Sequence, residues 1–503
     1  MTRLAVLISG CTLCLVCSWA LLAIHKQNEA RALLPRAAGA SISLGEEPNE
    51  VVVESPAEKA LRLKASLMAR GDTHREALDQ DGSPKVPAKK KRRPAVRSVT
   101  VDRNNILETV QMDDLRAPPG RLWIPAALSG PVNHKDGVDP LFNVLVAYCQ
   151  LDMKSYHESP WLFAMGPFHQ RTSGCLGDAS LTRTYRLSSL KRLLEENPDE
   201  FMDPSGFIYH ETRCGSTLSA NMMAAIPSNI MHSETPPPIA VLNLCGSPGR
   251  CPDGMGDELV RTVFRLMGPV QDGHTNQFFK FQSSKYVARV ESAWPETKWI
   301  YLFRDPLEVM ASNLKGAWRK QGQKSSRPGT NSTVPAYQLG GPCVRGLKGE
   351  RSGGRAKAPA ANVVVTTCAT QLETLNEVVL RRFEEGTPNG LAVEYRQLPE
   401  VMTEYVYPEH FGMATTEAAR SEFKKYMEPV THVYSKGMAT GAQAAVSKDY
   451  EQGMDLKGKE EGIDERMRAA ATTMCDNYRA LVDLQRWRKP EEGSTMGTCD
   501  VSR

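Results

Sequence analysis

Apolar positions change character along the chain. From Leu4 to Ile24 they run for 21 residues without a charge, long enough for a helix that crosses a hydrocarbon core. A cleaved signal peptide carries a shorter apolar stretch of roughly 7–15 residues, so the run reads as an uncleaved signal anchor. From 25 to about 130 the chain is rich in Ala, Pro, Glu, Lys and Arg and poor in aromatics, the pattern of a stem, with a short helical pattern at 58–70. Beyond Pro140 apolar residues return as short continuous runs at 141–147, 207–209, 278–281, Trp299–Phe303 and 391–395. Such runs suit strands covered on both faces of a parallel sheet.

Helical patterns lie between and after these runs, at 284–293, 306–320, 371–385 (ended by Gly386) and 463–487. Alternating strand and helix predicts an α/β layered fold. Residues 321–361 break the alternation. They are rich in Gly, Ser, Lys, Arg and Pro, and read as a flexible insertion. The layout that follows is a short tail at 1–3, the anchor at 4–24, a low-complexity stem at 25–130, one domain at 131–490 containing the insertion, and a tail at 491–503.

Composition and charge narrow the partners. With 41% apolar and 24% charged residues the chain is globular rather than collagenous, wholly disordered or multispanning. A net charge of +4 from 62 basic and 58 acidic residues makes no case for nucleic acid as a partner. The basic run 89–93, between Pro84, Pro87 and Pro94, reads as a solvated linker. Nine of the twelve cysteines lie beyond the anchor and suit an oxidising lumen, with at least one left unpaired within the chain. Asn331-Ser332-Thr333 is an acceptor triplet for glycosylation. Against these lumenal cues, Arg3 alone precedes the anchor while Lys26, Arg31 and Arg36 follow it, which by the Lys and Arg count puts the C-terminal part in the cytosol. Two pairings, Cys245 with Cys251 and Cys343 with Cys368, would close short loops.

The segment 207–223 carries the chemistry. An apolar strand runs into Glu211-Thr212-Arg213-Cys214-Gly215-Ser216-Thr217, then into a helical pattern that stops before Pro227. The first helical turn has unsatisfied N–H groups and the positive end of the helix dipole, so this junction is an anion site. Gly215 permits close backbone approach to a phosphate, Ser216 and Thr217 add hydroxyls, and Arg213 adds a charged fork. The common nucleotide loop G-x-x-x-x-G-K-[ST] is absent here. Further on, a second apolar strand ends at Arg304. Asp305 is a good N-cap and Pro306 suits the first helical position. Ser312, two turns on, should share a face with the strand end, so that Arg304 and Ser312 could hold one phosphate.

Taken together, these two segments resemble the PAPS-dependent sulfotransferases. Arg213-Cys214-Gly215-Ser216-Thr217 resembles their 5′-phosphosulfate loop, and Arg304 with Ser312, eight apart after an apolar strand, resembles their 3′-phosphate motif. The clear resemblance covers about 110 residues, 207–315, and extends in diluted form to 391–398 and 455–457. It implies a P-loop NTPase-like three-layer fold with a central parallel sheet. It also implies transfer of a sulfuryl group from PAPS to an acceptor hydroxyl or amine, without a metal. The PAPS-binding residues it implies are Arg213, Cys214, Gly215, Ser216, Thr217, Leu218, Arg304 and Ser312, with Arg213 also acting on the leaving group. The whole chain is most similar to the membrane-anchored or secretory branch, which implies a single-pass type II protein facing the Golgi lumen. A glycan is the leading acceptor, before a protein tyrosine or a small molecule.

An acceptor hydroxyl needs a general base. Glu234, 21 residues after Arg213 and followed by three prolines read as a rim loop, is the first choice, because some family members use a Glu at similar spacing. His232 and His210 are its rivals, and Lys280 is a polar break in an apolar strand. Two other classes remain: another P-loop transferase such as a nucleotide kinase, and a non-catalytic binding module on the same fold.

Overall fold

The structure, a computed structural model, describes residues 101–132, 139–163, 181–244, 251, 255–316, 337–339, 343, 351–352, 355–356, 361–431, 463–487 and 499. The anchor 4–24, the first 100 residues, the Asn331 triplet, most of the insertion 321–361, Cys245 and residues 455–457 lie outside them. Among the described residues no helix is long and apolar enough to cross a membrane.

Two sheets organise the described chain. The first contains β1 (Ile106–Leu107), β2 (Arg121–Ser129), β3 (Leu145–Asp152) and β4 (Thr182–Arg186) in the order β1-β4-β3-β2. Its pairs are antiparallel except β1 with β4. The sequence pattern puts residues 101–130 in the stem, and β2 corrects that boundary: Leu122, Trp123, Ile124 and Ala126 are buried. Pro125 hides the strand in the sequence. A proline is tolerated at a sheet edge or a bulge, and β2 has both, lying at the end of the sheet with a register shift between Pro125 and Ala127. The run at 141–147 becomes β3, which begins only at Leu145.

The second sheet is the expected parallel one. It holds β5 (Pro204–His210), β6 (Asn229–Ser233), β7 (Asn276–Phe281), β8 (Trp299–Phe303) and β9 (Gly390–Glu394), in the order β9-β8-β5-β7-β6. All four pairings are parallel. Four of these strands coincide with the apolar runs, and every residue of β8 and β9 is buried. The sequence reading misses β6, because Asn229, His232 and Ser233 break its apolar character. All five of its residues are nonetheless buried, since tertiary contacts cover polar and apolar positions alike.

Around the sheets pack α1 (Ser216–Ala224), α2 (Pro236–Leu244), α3 (Met255–Leu266), α4 (Pro306–Asn313), α5 (Ala361–Glu384), α6 (Glu417–Thr431), α7 (Glu465–Thr472) and α8 (Cys475–Asp483). A mixed α/β architecture with a five-stranded parallel sheet results, compatible with three layers. The three prolines expected to fix a rim loop instead open α2. First-turn N–H groups have no intrahelical acceptor, so proline loses nothing there. The helix expected at 306–320 ends at Asn313, whose side-chain amide turns back to the Val309 carbonyl at 3.0 Å. Leu314–Gly316 then pairs antiparallel with Tyr337–Leu339. The long helix at 463–487 is two helices. Thr472 and Thr473 lie at the break, and their hydroxyls donate to the Arg468 and Ala470 carbonyls.

Disulfides join Cys343 to Cys368, one of the two pairs expected from the sequence, and Cys475 to Cys499, a pair that the sequence pattern does not point to. Cys149 and Cys251 are also disulfide-bonded. Among the described cysteines Cys214 alone is free.

Candidate active site

Strand order locates the site before any side chain does. From β5 the chain crosses to β6, returns to β7, then passes to β8 and β9 on the other flank of β5. The carboxyl ends of β5 and β8 therefore border the point where the winding reverses, the usual crevice for a ligand in an open parallel sheet. The loop 211–215 leaves β5 there, and Arg304 and Asp305 leave β8.

The loop is bent by its backbone. Thr212, Arg213 and Gly215 have φ of 148°, 53° and 82°. Only glycine adopts such angles freely, and strain at the two others is of a kind that clusters at ligand clamps. Gly215 is required for a second reason, because a Cβ on it would lie 2.4 Å from Leu398 Cδ1 and 2.8 Å from Tyr395 Cδ2. Gly215 is also the N-cap of α1, and no side chain caps it. At the neighbouring helix Asp305 accepts from the N–H groups of Leu307 (3.0 Å) and Glu308 (3.3 Å). Of the two helix starts at the crevice, the one after β5 thus keeps its dipole end for an outside anion. Arg213 is exposed, Ser216 is buried, and Thr217 and Leu218 are half-buried. The Cys214 thiol is fully buried, and burial pushes it up to about 12. It packs the loop and is not a thiolate. These residues fit a phosphate-bearing donor.

Beside the loop stands a buried ionic cluster. Lys280, on β7 between Ile208 of β5 and Ser233 of β6, has a fully buried side chain and donates from Nζ to Glu234 Oε1 at 2.7 Å. His210 Nε2, at the end of β5, lies 3.4 Å from the same oxygen. Glu234 follows β6 with φ of 52°, and its N–H donates to the Lys280 carbonyl at 3.0 Å. Burial pushes its carboxyl up, but Lys280 and His210 outweigh that and hold it well below the usual carboxylate range. Burial lowers His210, with Glu234 opposing the shift and Lys280 adding to it. The arrangement keeps the Glu234 carboxylate ionised and fixed in place by Lys280.

The structure thus brings Glu234, His210 and Lys280 together and leaves His232 out. His232 stacks on Phe279 with ring centres 4.7 Å apart, and burial drives it down to about 3. It is a core residue.

Arg304 reaches the loop, but not as a bare phosphate ligand. Its Nη1 donates to the Arg213 carbonyl at 3.3 Å, its Nε donates to Glu308 Oε2 at 2.5 Å, and its guanidinium lies 3.8 Å over the Tyr395 ring. Ser312 is buried, and its hydroxyl has no hydrogen-bond partner among the described residues. The backbone N–H of Arg304 donates to Glu211 Oε1 at 2.7 Å, which locks the two strand ends together. Burial pushes the Glu211 carboxyl up to about 8 against the pull of Arg304.

Sequence reasoning missed Glu211, Glu308, Tyr395 and Arg396. Only Glu308 left a signal, its spacing of four from Arg304. Among the described residues no group of three or more His, Cys, Asp or Glu could hold a metal ion. Comparison with known protein families and with curated proteins finds no match to this chain.

Proposed function

We propose that the chain is a PAPS-dependent sulfotransferase on a P-loop NTPase-like three-layer fold, moving a sulfuryl group to an acceptor hydroxyl. One observation carries this reading. His210, the last residue of the strand that feeds the Gly215 loop, lies 3.4 Å from Glu234, so an anion cradle and an ionised carboxylate share one crevice.

The donor supplies a sulfur atom that the acceptor oxygen attacks while the bond to the 5′-phosphate oxygen breaks. The chain's own residues position and stabilise. The uncapped start of α1, with Gly215, Ser216 and Thr217, holds the 5′-phosphate. Exposed Arg213 stabilises charge growing on the leaving oxygen. Glu234 takes the acceptor proton, and Lys280 fixes its orientation. Arg304 and Ser312 hold the 3′-phosphate. Placement of these groups supplies most of the rate.

The disulfides at Cys343–Cys368 and Cys475–Cys499 support an oxidising compartment. We place the protein in the membrane through residues 4–24 as a single-pass type II protein, with its catalytic domain in the Golgi lumen and a glycan as leading acceptor.

The test is incubation of the full-length protein with labelled PAPS and a panel of glycans, peptides and small hydroxyl compounds. Wild type should transfer label and Arg213→Ala should lose at least about 100-fold of it. Equal behaviour of the two, with PAP bound by neither, overturns the reading.

A further inference from the structure

Glu308 occupies an unusual position for a carboxylate beside an anion site. Its Oε2 is paired with Arg304, whose side chain is 1% exposed, and its Oε1 lies 3.6 Å from Nη2 of Arg396. Arg396 is drawn from another strand end, past β9, and keeps 30% of its side chain exposed. Its Nε also lies 3.6 Å from Glu394 Oε1, and Glu394 is oriented by the Tyr478 hydroxyl, which donates to it at 2.7 Å. Ser312, one turn beyond Glu308 on α4, adds a buried hydroxyl without a partner among the described residues. Tyr395 lies under Arg304 and beside Gly215, so this cluster and the phosphate loop share a wall.

Two guanidiniums on the Glu308 carboxylate, with a buried hydroxyl one turn along α4, are the kind of donors that a phosphate would use, since phosphate and carboxylate present similar oxygens to an Arg fork. A carboxylate left at close range to an entering phosphate would repel it. Glu308 must therefore move aside, or share the cations at a cost.

We propose that Glu308 is an internal stand-in for the donor's 3′-phosphate, and that Arg396 is a second guanidinium of that subsite. This rests on the PAPS reading above and deepens it. In the resting protein Glu308 keeps the buried Arg304 neutralised. A ligand with a 3′-phosphate takes the carboxylate's place between Arg304 and Arg396. A nucleotide without that phosphate has nothing to set against Glu308 and gains nothing from either arginine. Glu308 and Arg396 are then specificity-determining residues, through the difference between the two ligands.

Calorimetric titration of the full-length protein with PAP and with adenosine 5′-phosphate tests this. Glu308→Gln should bind PAP about 10-fold more tightly than wild type. Arg396→Gln should bind it at least about 10-fold more weakly, a loss that corresponds to about 1.4 kcal/mol. Neither change should move adenosine 5′-phosphate affinity by more than about 2-fold. Weaker PAP binding by Glu308→Gln, at unchanged melting temperature, overturns the stand-in role and leaves Glu308 as an orienter of Arg304. Unaltered binding by Arg396→Gln, a change at a partly exposed side chain, overturns the second cation. Wild type that binds no PAP sinks the donor reading, and this inference with it. Wild type that binds PAP while the variants fail their expected directions sinks this inference alone.

Discussion

Replacing Lys280 by Met would remove the cation and keep most of the volume. Lys280 is fully buried in β7 and donates at 2.7 Å to Glu234, whose side chain is only 14% exposed. Removing one partner of a buried pair costs about 3–5 kcal/mol, mainly because the other charge is stranded. The partial exposure of Glu234 and the neighbouring His210 put this site at the low end, about 3 kcal/mol at pH 7.

The penalty should depend on pH in a defined direction. In wild type the Glu234 carboxyl is held below its usual range. Its contribution is therefore full above the unfolded pKa of about 4.3 and is lost as pH falls through the folded value. In Lys280→Met burial dominates and raises the folded pKa above about 4.3. The unfolded chain then ionises first, and stability falls as pH rises from there. The gap between wild type and variant should thus widen as pH rises above about 4.3 and reach about 3 kcal/mol by pH 7. Denaturant unfolding of both proteins and of Lys280→Met with Glu234→Gln, from pH 4 to pH 8, measures it. The double variant should recover most of the loss at pH 7. A gap that is flat across this range, or below about 1 kcal/mol at pH 7, would show that Lys280 and Glu234 are not energetically paired.

Glu234→Gln should lower turnover about 100-fold or more while PAP affinity stays within about 2-fold, read by labelled transfer and calorimetry. Equal turnover would move the proton acceptor to His210. Gly215→Ala should destabilise by about 2–4 kcal/mol, from its left-handed backbone and the clash with Leu398 and Tyr395. It should also abolish PAP protection in a thermal melt, and a melt unchanged from wild type would refute the geometry of the loop. Replacing Cys475 and Cys499 by Ser should destabilise by about 3 kcal/mol, the loop-closure value for a span of this size. An unchanged unfolding midpoint would mean that the bond does not hold α8.

The parallel sheet was largely legible in the sequence. Strands covered on both faces must be continuously apolar, and Phe207, Phe278 and the run Trp299–Phe303 announce themselves. The phosphate loop was legible too, because a strand, a glycine and a helix start are neighbours in the chain. β2 and β6 were not, since Pro125 and His232 break their patterns and only long-range contacts bury them. The prolines 236–238 read as a loop because proline stops a helix in its interior, whereas here they stand at its first turn.

The sequence by itself determined which residues could carry anion chemistry and the order in which the chain presents them. Those properties follow from local spacing, backbone preference and side-chain type. Tertiary structure decided how they combine. It joined Glu234, Lys280 and His210 from the ends or interior of three strands, and it separated His232, the fourth residue of β6, into the aromatic core. It also set Glu308 and Arg396 against Arg304. The physical reason is range: an ion pair between β6 and β7, or between α4 and the end of β9, depends on sheet order and register, which no local pattern encodes.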